Sequence, residues 1–170
     1  PIMTRLILVF IFLQLNWLGL SAQTAEKDSV EIEVKQLIDQ GGSLIKRRQL
    51  DSAVVLLKYT LDYTERELGE DHLLAGVIAH TLGYVHMVQE QQDEAQSYYL
   101  EALRIRRINY SPPNASLALT LNGLGVIYEY EGNFTLAESH YIEARTNWEG
   151  AYGKDHYRCS WAQYNLGKLY

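Results

Sequence analysis

Cys159 is the one cysteine among 170 residues, so no internal disulfide can staple this chain. No group of Cys and His has the spacing of a zinc site either, and stability has to come from packing. Basic charge is also short. Fifteen Lys and Arg stand against 21 Asp and Glu, a formal net charge of -6, and no basic face of the kind that phosphate contacts need is evident. Nucleic acid is therefore not an expected partner. A glycine-rich phosphate loop, a Gly-x-Ser-x-Gly elbow and a His-Glu-x-x-His zinc motif are all missing, so no catalytic residue, cofactor or metal is expected. What is present is ordinary globular material, 47% hydrophobic and 21% charged, which argues against wholesale disorder.

A long apolar run is lacking as well. The longest extends from Leu6 to Leu20 and is broken by Gln14 and Asn16, short of the roughly 20 apolar residues of a spanning helix. Arg5 precedes it and the small pair Ser21-Ala22 follows, the three-part layout of a secretory signal. Residues 1–22 are read as that signal, with the mature chain starting near Gln23 and a linker over 23–33. The chain is then expected to be exported, periplasmic or extracellular, with no membrane attachment after cleavage. The competing reading keeps the segment as an anchor in the cell envelope.

From residue 34 onward the sequence repeats itself. A shift of 42 residues lays Leu82-Gly83 on Leu124-Gly125 and on Leu166-Gly167, aligns Ala53, Ala95 and Ala137, and matches Leu57 with Tyr99 and Tyr141. The connecting segment Gly69-Glu70-Asp71-His72 falls on Gly153-Lys154-Asp155-His156. Apolar residues recur at three- and four-residue steps around Val77–Val88 and again from Ala95 to Ile108, so each unit reads as two helices. Gln91-Gln92-Asp93 and Gly132-Asn133 break the pairs. Gly69 and Gly153 read as helix stops, and Asp71, Asn114 and Asp155 as N-caps for the helices that follow.

The pattern resembles the tetratricopeptide repeat, whose signature sets Leu-Gly and Tyr on the first helix and Ala, an aromatic and Ala on the second. Unit three supplies Leu121, Leu124, Gly125, Tyr128, Ala137, Tyr141 and Ala144. Unit two has His86 where Tyr is usual, and unit one, with Gln40 for Leu and Thr60 for Ala, is worn as an end-capping unit would be. A 42-residue period is similar to the kinesin-light-chain type. The resemblance implies an all-α fold, a right-handed superhelical solenoid of antiparallel helix pairs over residues 34–170. It comprises three full units from Val34 to Tyr157 and the first helix of a fourth. Trp161, Leu166, Leu169 and Tyr170 do not look like a polar terminal cap, so the expectation is that a longer protein continues beyond residue 170.

Small residues support this packing on physical grounds. Gly83, Gly125 and Gly167 lie inside helices, where each costs about 1 kcal/mol against Ala, and close helix approach is the compensation expected. His72 and His156 hold one repeat position, which makes them structural before catalytic. Cys159 follows His156 by three residues, but no orienting or oxyanion partner accompanies them, and the thiol reads as partly buried.

Function is then expected at a surface. First helices line the inner groove of such a solenoid, and the repeat directs Val77, His80, Tyr84 and Met87, then Leu119, Asn122, Val126 and Tyr130, then Trp161, Tyr164 and Lys168 to it. Tyr and Trp give contact area at small entropic cost, and Asn can pair with peptide backbone. The resemblance implies a non-enzymatic scaffold that holds a peptide or protein segment in that groove. Its alternative is the regulatory front of a longer protein: signal-bearing arrays of this repeat look like exported bacterial proteins that end in a CHAT-type peptidase, a sensor kinase or a transcriptional regulator.

Overall fold

The computed structural model describes the backbone from residue 2 and side chains from residue 23 to Tyr170, and the signal assigned to residues 1–22 lies outside the described side chains. Every described element is a helix: α1 (Ile2–Lys46), α2 (Leu50–Leu68), α3 (Leu73–Val88), α4 (Gln92–Asn109), α5 (Ala115–Tyr130), α6 (Phe134–Tyr152) and α7 (Tyr157–Lys168). α1 pairs with α2, α3 with α4 and α5 with α6; each pair packs on the next, and α7 packs on α6. The fold is an all-α, right-handed solenoid of antiparallel helix pairs. α1 also touches α3, and α3 touches α5, which puts the first helices on the inner side of the curve.

Turn chemistry sets the helix ends. α2 and α6 stop at Gly69 and Gly153, whose φ of 103° and 88° suits a residue without a Cβ, and Gly132 turns between α5 and α6 at φ 75°. Asn114 caps α5 by accepting from the amides of Ser116 and Leu117. The other two inter-unit caps differ from the sequence reading. His72 and His156, not Asp71 and Asp155, hold the N-cap positions, each ring Nδ1 accepting the amide two residues on. Asp71 points outward instead to Arg104, 2.5 Å away, so its carboxylate is spent on the neighbouring helix.

Inside each unit a ring or branched side chain of the second helix meets the glycine of the repeat position Gly41, Gly83 and Gly125. A Cβ on Gly41 would lie 2.8 Å from Leu57, on Gly83 2.9 Å from the Tyr99 ring, and on Gly125 2.5 Å from the Tyr141 ring. Any side chain there would force the pair apart, which is why helix-weakening residues occupy these positions. The exchange of His86 for Tyr is balanced on the partner helix. His86 stacks on Tyr98 at 5.4 Å, while unit three has the same two ring types reversed, Tyr128 on His140 at 5.1 Å.

Between units, three positions on each first helix face the preceding second helix. They are Ala75, Ile78 and Leu82 on α3, Leu117, Thr120 and Leu124 on α5, and Cys159, Ala162 and Leu166 on α7, and all nine are buried. The same positions on α1 are Glu33, Gln36 and Gln40, and all three are exposed. Of the two departures noted in unit one, Gln40 lies on this exposed face, while Thr60 is fully buried with its hydroxyl donating to the Leu56 carbonyl. At the other end, Leu166 and Leu169 face back onto the cluster of Ala137 and Tyr141, and Trp161 lies edge-on to the buried Trp148. The outward positions of α7 are Ser160, Gln163 and Gly167, all exposed. Leu166 is thus buried and Leu169 half-buried, while Trp161 and Tyr170 stay exposed, Tyr170 at 88%.

Candidate functional site

The two helix layers differ in charge. α3 contains no Asp, Glu, Lys or Arg, α5 only Glu129, and α7 only Arg158 and Lys168. α4 alone carries Asp93, Glu94, Glu101, Arg104, Arg106 and Arg107. Beyond the first unit, charged residues lie mostly on the second helices, and α3, α5 and α7 meet solvent through rings, amides and hydroxyls, whereas the first helix α1 carries Glu31, Glu33, Lys35 and Asp39.

The residues assigned to the groove divide into three groups. Tyr84, Tyr130, Trp161 and Tyr164 are open, Tyr130 and Tyr164 being 72% and 70% exposed. Asn122 and Val126 are partly buried: Asn165 Nδ2 donates to Asn122 Oδ1 at 3.1 Å, joining α7 to α5, and Val126 packs against the Tyr141 and Leu166 cluster. His80 and Lys168 are engaged internally. The His80 ring lies 5.3 Å from the Tyr99 ring with Nδ1 3.4 Å from the Thr120 hydroxyl, and burial, with Arg106 nearby, pushes its pKa down to about 3. It is a neutral inter-unit contact. Lys168 Nζ stands 2.6 Å from Glu129 Oε1, and the Tyr141 hydroxyl donates to Glu129 Oε2 at 2.7 Å. Burial alone would raise the Glu129 carboxyl, but these two donors outweigh it and hold the group below its ordinary value. Lys168, the one cation assigned to the groove, is accordingly paired within the fold.

Two features escaped the sequence reading. Tyr157 begins the stripe that Trp161 and Tyr164 continue along α7; its ring meets Trp161 edge-on at 5.3 Å, with the Arg158 guanidinium over both. Its repeat equivalent is Ala115, so the repeat gave no hint of an aromatic there. The second is the pair Arg106 and Thr120, both buried, where a charged residue in a last helical turn reads as solvated.

Catalytic geometry does not form at Cys159. Its Sγ donates to the Gly153 carbonyl at 3.5 Å, burial pushes the thiol up, and His156 Nδ1 is occupied as a helix cap. Among the described residues no group of three His, Cys, Asp or Glu side chains could hold a metal, and no helix is long and apolar enough to cross a membrane.

Helix pairs stacked at a 42-residue period, each locked by glycine against a ring or a leucine, agree with family comparison. Two tetratricopeptide-repeat family models match, one over residues 77–113 and the other over 116–170. The chain is a tetratricopeptide-repeat protein. Such repeats are generally protein–protein interaction modules and typically non-enzymatic. Solved structures of similar fold include BtubC (BKLC) from P. vanneervenii, at TM-score 0.71 and 20% identity over 77% of this chain and 52% of that one. Two structures of a Podosopora anserina protein, titled as a kinesin light chain with nearly identical TPR-like repeats, match at TM-score 0.72 and 16–17% identity over 81% of this chain and 65% of theirs. The chain therefore spans about half to two-thirds of these relatives' lengths. No curated protein matches it.

Proposed function

We propose that this tetratricopeptide-repeat chain is a scaffold that binds a peptide or protein segment along the inner face formed by α3, α5 and α7. The observation that carries the reading is the pairing of open rings with almost no charge on that layer. Tyr84, Trp161 and Tyr164 are each at least 44% exposed. Aromatic rings on a rigid scaffold are the usual anchors of interface energy. Asn122 and Asn165 each spend one amide atom on the other, which leaves the Asn122 Nδ2 donor and the Asn165 Oδ1 acceptor for a backbone laid across them. His80, Val126 and Lys168 hold the walls in place and contribute less to contact.

The test is a quantitative pull-down from the native compartment with wild type, Tyr164→Ala, Asn122→Ala and the outer-layer variant Glu101→Ala. Loss of an aromatic anchor costs about 2 kcal/mol or more, roughly thirtyfold in affinity, whereas Glu101→Ala is expected to be near neutral. Equal retention of a partner by inner- and outer-layer variants would place the binding surface elsewhere.

A further inference from the structure

Lys168, at the α7 end of the groove, is spent on Glu129. The α1 end is built differently. Where α1 stops, α2 starts and α3 reaches its last turns, Ile45, Lys46, Arg48, Leu50, Tyr84 and Val88 line an open cleft of about 340 Å³. Ile45 and Leu50 are half-buried, Tyr84 and Val88 are each 44% exposed, and Lys46 and Arg48 lie in solvent. Neither cation makes an ion pair or a side-chain hydrogen bond among the described residues. Apolar walls thus meet two accessible, uncompensated positive charges.

The repeat ties this cleft to the inner face and shows that the fold does not ask for its charge. Tyr84 is a groove residue, and Lys46 holds the position of Val88 and of Tyr130, another groove residue. Arg48 corresponds to Glu90 and Gly132, and the turn takes all three with φ of 59°, 60° and 75°. The third seam has Glu129 in place of Ile45 and Lys168 in place of Tyr84, and those two neutralise each other. Among these equivalent positions, positive charge without a carboxylate occurs only at the first seam, in a chain of net charge -6. Cations on the rim of an apolar cleft attract an anion more strongly than on a flat surface, because the low-dielectric wall focuses their field.

We infer that the cleft between the α1–α2 turn and the end of α3 takes an apolar side chain of the bound segment, with Lys46 and Arg48 holding an Asp or Glu carboxylate beside it. The inference rests on the inner-face reading and deepens it. It gives the segment a direction, with its acidic part over the first seam and its uncharged part over Asn122 and Tyr164. An apolar side chain fills the cleft between Ile45, Leu50 and Val88, while the two cations fix its orientation through the neighbouring charge.

A library of random end-blocked peptides, selected on the whole chain, supplies the probes, and their affinities are read by fluorescence polarisation. Peptides with Asp or Glu next to a large apolar residue are expected to be enriched. The double variant Lys46→Gln with Arg48→Asn removes both charges, Asn being at ease in the left-handed turn. Lys46→Gln alone serves should that variant fail to fold. Changing the peptide's Asp to Asn, or the protein to the double variant, should each weaken binding about tenfold, and the two together no further. A control pair, Lys58→Gln with Lys154→Gln, removes two exposed cations that do not line the cleft and should change affinity by less than about twofold. Equal binding of wild type and double variant by every recovered peptide overturns the inference, as does an equal loss in the control pair. Tyr164→Ala separates the two readings. Peptides that weaken there but not in the double variant keep the inner-face reading and overturn this one. Peptides that weaken only in the double variant support the cleft and remove α7 from the groove.

Discussion

The Tyr141 ring stands where a side chain on Gly125 would have to go, with its Cε1 2.5 Å from an ideal Cβ. Gly167 occupies the same repeat position on α7 and has nothing within 4 Å of its own Cβ site. Gly125 is buried in mid-helix against that ring, whereas Gly167 is exposed in the last turn of α7. Gly125→Leu is expected to cost about 1 to 3 kcal/mol or more by overpacking, while Gly167→Ala should stabilise by about 0.5 to 1 kcal/mol through helix propensity. Thermal melts decide it. Similar shifts in the two variants would remove close approach as the reason for the repeated glycine.

Helix capping gives a second expectation. Because the His72 ring already sits at the N-cap of α3 and Asn does the same service at Asn114, His72→Asn should leave stability unchanged within about 0.5 kcal/mol. His72→Ala should lose about 0.5 to 2 kcal/mol. Asp71→Ala removes only an exposed ion pair and should cost no more than about 1 kcal/mol. Urea titration ranks the three, and a larger loss for Asp71→Ala than for His72→Ala would reverse the cap assignment.

Acid should loosen the seat of α7. The folded Glu129 carboxyl is held below its ordinary 4.5, so its bonds with Lys168 and Tyr141 contribute fully above that value. The contribution is lost as pH falls through the folded pKa. Stability of wild type should therefore fall more steeply between about pH 5 and pH 3 than that of Glu129→Gln, which has no charge to lose. Unfolding curves collected across that range test the sign, and parallel curves for the two proteins would contradict it.

Export is proposed from the sequence of residues 1–22 and is checked at the N-terminus. Mass spectrometry of the native protein should find its first residue close to Gln23. A product that retains Leu6 to Leu20 in the cytosol would count against a cleaved signal.

Much of the architecture was legible because a 42-residue period carries its own internal controls. Leu57, Tyr99 and Tyr141 share one repeat position and Gly41, Gly83 and Gly125 another, and the structure, not the alignment, brings each pair into contact. The caps were less legible, since Asp and His are neighbours in both loops and Asp is the more familiar cap; Arg104 on α4 claims the Asp71 carboxylate, a contact 33 residues away that local sequence does not reveal. The inner face was read as a uniform row, but His80 finds Thr120 one unit on and Lys168 finds Glu129 one unit back. Arg106 looked like a solvated helix end beside Arg107. Its alignment with Thr64 and Trp148, both fully buried, was the available signal that it faces inward.

Units that stack on copies of themselves present a hazard, because one chain's last face can serve as a template for another chain's first, and a head-to-tail contact that does not close grows into a fibre. Glu33, Gln36 and Gln40 act against that at the α1 edge. An incoming second helix would have to strip water from a carboxylate and two amides at positions where α3 offers only Ala75, Ile78 and Leu82. Those three side chains allow the chain to be built from a self-adhesive motif and still resist polymerisation through that edge.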